Sequence, residues 1–249
     1  MTTNLGRLYK LIFKTPISDT FNKKRYVFHH LQKCGGTSLK KSLEDFYILK
    51  KDYAYKGEEP LNFDMLSSFD LLVGHFEMNE TKLFERYPQV EGHNVFLFTM
   101  VREPFKLMIS LYYYWKGRGW IEDISLVDFL NSKKNYLSKL MYCTEENWEL
   151  MLEKYSFIGV LERYEESLGL LSLLTRRNFR KYNVENKSLK DQQLIDVEND
   201  PDFIEDFKKK NSLDYLIYNQ SFLNFEKVLS QYRARQTNGQ GLEIHSDNV

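Results

Sequence analysis

The chain has 249 residues, of which 42% are hydrophobic and 15% aromatic, and its 35 basic residues balance 35 acidic ones to a formal net charge of zero. This length is enough for one substantial hydrophobic core, and the neutral balance without a long basic block argues against nucleic acid as a partner. Residues 8–13 are partly apolar but far too short to span a membrane or to form a secretory signal.

The two cysteines add a constraint on the compartment. Cys34 and Cys143 have no metal-site spacing and do not suggest a disulfide framework, which favours a reducing environment. We therefore expect a cytoplasmic protein without a metal centre.

The first predicted element is a strand over residues 25–31, followed by a loop and a helical pattern. The loop combines a positive charge, two glycines and two hydroxyl groups in the order Lys33, Cys34, Gly35, Gly36, Thr37, Ser38. Glycines let a ligand approach the backbone, and a helix N-terminus favours negative charge. The segment predicts a site for a phosphate-like anion. An ordinary strand-to-helix turn with a surface lysine is the alternative.

A second buried strand is predicted over residues 70–74, and His75 follows it directly. An imidazole with an ordinary pKa of about 6.5 is available as a base near neutral pH. His75 is therefore the candidate general base, and a structural histidine bonded to a loop carbonyl is the alternative. The other four histidines are expected in satisfied core or surface positions.

A third strand over residues 95–101 leads into Arg102, and a helix is predicted to start near Glu103 or Pro104. Lys106 and Ser110 lie one and two turns into this helix on one face, so both can converge with Arg102 on a single anion. The guanidinium offers a planar fork to phosphate oxygens. Solvated loop charges and a tolerated helix serine are the alternative.

A fourth strand is predicted near residues 157–161, followed by a leucine stripe that favours core packing. Strands that alternate with helical patterns predict a parallel α/β sheet, in which ligands bind outside the carboxyl ends of the strands. We expect an N-terminal extension over residues 1–24, one domain over 25–235 with a helical insertion near 116–155, and a mobile tail over 236–249.

The loop sequence Gln32-Lys33-Cys34-Gly35-Gly36-Thr37-Ser38 resembles the sulfate-binding loop of the carbohydrate-type, PAPS-dependent sulfotransferases (sulfotransferase family 2-like), Pro-Lys-Thr-Gly-Gly-Thr-Ser. It departs from that pattern at Gln32 and Cys34. A Walker A loop would place the lysine after the glycines, whereas here the lysine precedes them.

A second segment, Arg102-Glu103-Pro104-Phe105-Lys106-Leu107-Met108-Ile109-Ser110-Leu111-Tyr112, resembles the same family's 3′-phosphate site, Arg-Asp-Pro-x-x-Arg-x-x-Ser-x-Tyr. Glu103 replaces the aspartate and Lys106 the second arginine. Two weaker likenesses, to a Gly-Val-x-Glu-x-Tyr-Glu-x-Ser segment and to a late Asn-Lys-Ser loop, add Arg163 and Lys187 as candidate nucleotide-binding residues.

The resemblance implies a P-loop-NTPase-like sulfotransferase fold, a three-layer α/β arrangement with a parallel sheet flanked by helices. It implies 3′-phosphoadenylyl sulfate (PAPS) as donor, adenosine 3′,5′-bisphosphate (PAP) as product, no metal, and a hydroxyl-bearing acceptor such as a glycan or small metabolite. Lys33 and His75 would be catalytic. Golgi members of the family carry an N-terminal membrane anchor, and no such segment is predicted in this sequence. We therefore expect a bacterial-type or phage-type enzyme.

Two other functions fit an anion-binding loop on such a sheet. A P-loop-type nucleotide-dependent phosphotransferase would share the fold, although it should have a lysine after the glycines and a carboxylate at a strand end. A non-catalytic nucleotide-binding module would keep the site without turnover.

Overall fold

The computed structural model describes residues 24–53, 57–76, 82–182 and 191–237, with side chains up to residue 234. Five parallel strands form one sheet in the order β2-β3-β1-β4-β5. The strands are β1 (Arg25–His29), β2 (Ile48–Lys51), β3 (Asp70–Gly74), β4 (Val95–Val101) and β5 (Phe157–Val160). The prediction of an α/β fold with a parallel sheet flanked by helices is confirmed.

Strand β2 is the one strand that the sequence did not predict. It lies at the edge of the sheet and pairs only with β3. Two of its four residues are lysines, and Ile48 is 61% exposed. A strand at a solvent-facing edge lacks the continuous apolar run that marks a buried parallel strand, and lysine is a common edge residue. The hydrophobic pattern therefore carried no signal for it.

The helices in chain order are α1 (Gly36–Glu44), α2 (Leu83–Arg86), α3 (Pro104–Gly117), α4 (Leu126–Ser132), α5 (Tyr136–Leu140), α6 (Trp148–Glu153), α7 (Tyr164–Thr175), α8 (Gln192–Glu198), α9 (Pro201–Lys210) and α10 (Ser212–Thr237). The chain moves from β1 towards β2 on one side of the sheet and from β4 towards β5 on the other. Because such connections are right-handed, opposite directions of travel place helices on both faces.

The buried side chains form two clusters. The larger one joins the strands to α1, α7 and α10, and its members include Val27, Leu72 and Ile217, each fully buried. The smaller one lies between α3, α4, α8 and α9 and includes Tyr112 and Phe129. The Tyr112 hydroxyl donates to the Ile124 carbonyl at 3.0 Å, so this ring is a satisfied core residue.

The strand order places three connections side by side. β1 lies between β3 and β4, with His29 opposite both Gly74 and Thr99. The residues that follow these three strands therefore emerge at one edge of the sheet, in the crevice where the chain changes its direction of travel. This edge carries the anion-binding loop, His75 and Arg102.

Parts of the predicted layout lie outside the described residues. These are the N-terminal extension up to residue 23, the tail beyond residue 237, and the loop that contains Lys187.

Candidate functional site

Helix α1 begins with its first turn open to a ligand. Its N-cap is Gly35, which has no side chain to accept a hydrogen bond, and the first turn contains no acidic residue. The first N–H groups of a helix have no partner within the helix, and the helix dipole favours negative charge at this end. Thr37 is exposed and Ser38 half-buried in the same turn. The loop can therefore bind an anion through its backbone N–H groups and its hydroxyl groups together.

The two loop glycines are required by close contacts with the protein itself. Gly35 has a φ of 80°, and a Cβ there would lie 2.5 Å from Leu161 Cδ1. A Cβ on Gly36 would lie 1.9 Å from Cδ2 of the His30 ring. Both distances are far below a normal carbon contact, so a side chain at either position would push the loop away from β1 and β5.

Lys33 adopts a backbone conformation that is uncommon for a lysine. Its φ is 60°, in the left-handed region. Such conformations cost of the order of 1–3 kcal/mol and persist only where the surroundings hold them. Here the Arg102 side chain does so, because its Nη1 donates to the Lys33 carbonyl at 3.2 Å. The two basic motifs predicted from the sequence are therefore in direct contact.

The Lys33 ammonium lies against an aromatic ring. Its Nζ is 4.2 Å from the ring centre of Tyr114, on α3. Burial is the main cause that lowers the pKa of Lys33, and the positive charges of Arg102 and Arg118 lower it further. Loss of the proton is therefore easier at Lys33 than at an exposed lysine, and an anion bound nearby would oppose this lowering of the pKa.

A network of carboxylates fixes the start of α3, and with it Arg102. Glu103 is the N-cap, and its side chain accepts from the Lys106 backbone N–H at 2.8 Å. The Tyr215 hydroxyl donates to the same carboxylate. The Glu103 backbone N–H donates to Glu162 at 3.0 Å. Glu103 therefore caps the helix, which begins at Pro104 as the sequence predicts, while Arg102 faces the loop.

Lys106 and Ser110 lie on the face of α3 that leads to the loop. Lys106 is exposed, and Ser110 is half-buried. Tyr114, which contacts Lys33, comes one turn after Ser110. Because residues four apart are neighbours on a helix surface, Ser110 lies between the exposed cation and the ring that carries Lys33.

His75 contacts a second, buried histidine. Its ring centre lies 4.1 Å from that of His30, which is 5% exposed. Burial lowers the pKa of His30 well below 6.5, with further contributions from His75, Lys40 and His29. His30 also contacts Gly36, so one uncharged imidazole separates the candidate base from the first residue of α1. This geometry places His75 beside the anion-binding loop.

Two further side chains border His75 on the β2 side. The ring centre of Tyr53 lies 5.6 Å from that of His75, and the Lys40 ammonium donates to the Tyr53 hydroxyl at 3.4 Å. Below them, Asp52 accepts two hydrogen bonds from Arg86, at 2.7 and 3.2 Å, and one from the Tyr87 hydroxyl. This buried network anchors the chain immediately before Tyr53.

Arg163 is bound within the protein. Its guanidinium donates to the carboxylates of Glu166 and Glu226. These carboxylates balance its charge, and a role for Arg163 in nucleotide binding stays a prediction. Cys34, which stands where the sulfate-binding loop of the family has threonine, is 1% exposed.

Sequence reasoning did not single out Tyr114, Arg118 or the contact between His30 and His75 as parts of the site. Tyr114 lies in the aromatic run of residues 112–115, which by itself indicates core packing, and Arg118 belongs to no motif. A four-residue spacing that runs on from Arg102 through Lys106 and Ser110 to Tyr114 and Arg118 is the signal that could have identified both. The histidine contact depends on the pairing of β1 with β3, which no local pattern specifies.

Within the part of the chain that the structure describes, no group of three or more His, Cys, Asp or Glu side chains could hold a metal ion. Across the same residues, no helix combines the length and apolar character needed to cross a membrane.

No protein-family model and no curated protein matches this sequence. Among solved structures, a sulfotransferase from Alicyclobacillus acidocaldarius is similar over 80% of this chain and 96% of that chain, with 11% sequence identity and a TM-score of 0.48.

Proposed function

We propose that this protein is a sulfotransferase that moves a sulfuryl group from PAPS to a hydroxyl acceptor, a carbohydrate or a small metabolite. The observation that carries the proposal is the contact between Lys33 and Arg102. The two motifs that resemble the family's 5′- and 3′-anion sites lie 69 residues apart in the chain, and the Arg102 guanidinium donates to the Lys33 backbone carbonyl in the loop before α1.

The residues present fit a donor with an anion at each end. The first turn of α1 offers backbone N–H groups, Thr37 and Ser38 to a phosphosulfate, and Lys33 adds a charge. Arg102 and Ser110, with Lys106 beyond them, would hold the 3′-phosphate. Among the described residues, neither Lys33 nor Arg102 has a carboxylate within ion-pair distance, so both charges remain for a ligand.

In the proposed reaction the acceptor oxygen attacks sulfur in line with the bond that breaks. His75 takes the proton of the acceptor hydroxyl, and the bond between sulfur and the bridging oxygen of the 5′-phosphate breaks. Lys33 stabilises the negative charge that develops on this departing phosphate. By analogy with phosphoryl transfer, most of the acceleration would come from alignment and from this charge stabilisation.

Calorimetry tests the donor first, with PAP compared against ATP and magnesium. We expect PAP to bind and ATP to bind more weakly, because Arg102 and Ser110 would recognise a phosphate that ATP lacks. Preference for ATP would overturn the donor assignment and favour the phosphotransferase.

A transfer assay with labelled sulfate then tests catalysis, using pooled glycans, lipids and metabolites as acceptors. We expect label in a hydroxyl-bearing acceptor. Tight binding of PAP without transfer to any pool would identify a non-catalytic nucleotide-binding module.

A further inference from the structure

Two cations share one aromatic ring beside the anion-binding loop. The Lys33 ammonium lies 4.2 Å from the ring centre of Tyr114, and the Arg118 guanidinium carbon lies 5.3 Å from the same centre. Trp120 packs edge-on against this ring at 5.7 Å. Tyr114 therefore contacts two positive side chains at once.

The charge of this pair is not balanced within the described residues. Arg118, like Lys33, has no carboxylate within ion-pair distance there. The repulsion between them contributes to the lowered pKa of Lys33. Cation–π contact with the Tyr114 ring offsets part of this cost. A bound anion that both side chains reach would remove the remainder.

Arg118 and Arg102 lie at opposite ends of Lys33. Arg102 contacts the Lys33 backbone carbonyl, whereas Arg118 shares the ring that carries the Lys33 ammonium. Sixteen residues of α3 and its ends separate the two arginines, which corresponds to about 24 Å of helix rise. Because their backbones are this far apart, the two arginines approach Lys33 from different directions.

We propose that Arg118 binds the same ligand anion as Lys33, with Tyr114 as the positioning residue that holds both cations. This inference rests on the proposed function, in which that anion is the 5′-phosphosulfate of the donor. Arg102 then serves the 3′ end and Arg118 the 5′ end, so the site discriminates by the position of the phosphate as well as by its presence.

The test compares Arg118→Gln with Lys208→Gln, which removes one positive charge from the exposed surface of α9. Each variant is titrated with PAP, adenosine 3′-monophosphate and inorganic pyrophosphate. Since hydrogen bonds to charged groups contribute about 1.5–3 kcal/mol, Arg118→Gln should weaken PAP and pyrophosphate about tenfold or more. Adenosine 3′-monophosphate should change less than about twofold. Lys208→Gln should bind all three as the wild type does.

Two further readouts separate a specific role from a general one. Tyr114→Leu should weaken PAP, and Tyr114→Phe should restore the affinity because the ring remains. In the ligand-free protein, NMR of reductively methylated lysines should show a higher pKa for Lys33 in Arg118→Gln than in the wild type or in Lys208→Gln.

The outcomes distinguish this inference from the donor assignment. Unchanged PAP and pyrophosphate affinities in Arg118→Gln, or equal weakening of adenosine 3′-monophosphate, would overturn the role of Arg118. Pyrophosphate binding that depends on Arg118, with no binding of PAP to the wild type, would support the anion site and reject PAPS. If the wild type bound neither anion, both proposals would fail.

Discussion

Replacing Arg102 by alanine should weaken donor binding and loosen the loop at the same time. The guanidinium is half-buried, and it donates to the Lys33 carbonyl at 3.2 Å. A hydrogen bond between a charged group and a ligand phosphate contributes about 1.5–3 kcal/mol, which corresponds to a roughly 10- to 150-fold increase in the dissociation constant of PAP.

The same substitution removes the contact that holds Lys33 at a φ of 60°. The net contribution of one such bond to folding is about 0.5–1.5 kcal/mol, which in a protein of this size lowers the melting temperature by roughly 1–6 °C. Ligand affinity should therefore fall by far more than the small loss of stability explains.

Calorimetry with PAP and adenosine 5′-monophosphate measures the first effect, and thermal unfolding measures the second. The matched variant Arg102→Lys keeps the charge but loses the planar fork, so it should recover only part of the affinity. Binding of adenosine 5′-monophosphate should weaken less than binding of PAP, because it lacks the 3′-phosphate and is affected only through the loosened loop. An Arg102→Ala protein that binds PAP within about twofold of the wild type would refute the assignment of this phosphate site.

Three other predictions concern Lys33, His75 and Asp214. Lys33→Ala should reduce the rate of sulfate transfer more than the affinity for PAP, because its charge acts chiefly on the departing phosphate; an equal loss in single-turnover rate and in affinity would contradict that role. His75→Ala should slow transfer by about 10²-fold or more, whereas full activity would exclude it as the base. Burial raises the pKa of Asp214 to about 6, so the folded state binds the proton more tightly than the unfolded state. This contribution favours folding below about pH 4 and is lost as the pH rises through about 6, by about 3 kcal/mol in total. In denaturant titrations the stability advantage of the wild type over Asp214→Asn should therefore shrink across that range, and parallel pH profiles would show that the buried carboxylate does not titrate there.

Asp214 also shows why a buried acid is retained. Its carboxylate accepts from the backbone N–H groups of Leu137 at 2.8 Å and Ser138 at 2.7 Å, at the start of α5. These bonds satisfy two of the unpaired groups of a helix N-terminus, and they oppose the effect of burial on the pKa. These two hydrogen bonds join α10 to the helical stretch between β4 and β5.

The sequence determined the elements whose signal is local. Four strands were predicted because buried parallel strands are continuous apolar runs, and the start of α3 followed from Pro104 and the residues before it. The edge strand Ile48–Lys51 escaped prediction because it lacks a continuous apolar run, with two lysines among its four residues and both of its ends exposed. Local patterns indicate which secondary structure a segment can form, whereas the pairing of strands depends on the packing of the whole sheet.

Tertiary structure decided which of the candidate residues meet. Placing β1 between β3 and β4 brings the anion-binding loop against Arg102 and sets His30 against His75. In the folded protein, Arg163 also donates to Glu166 and Glu226, and the Tyr114 ring contacts Lys33. The residue type by itself determines which chemical group is present. Its charge balance and burial depend on neighbours that are distant in the chain, and those neighbours are fixed only when the sheet and helices pack together.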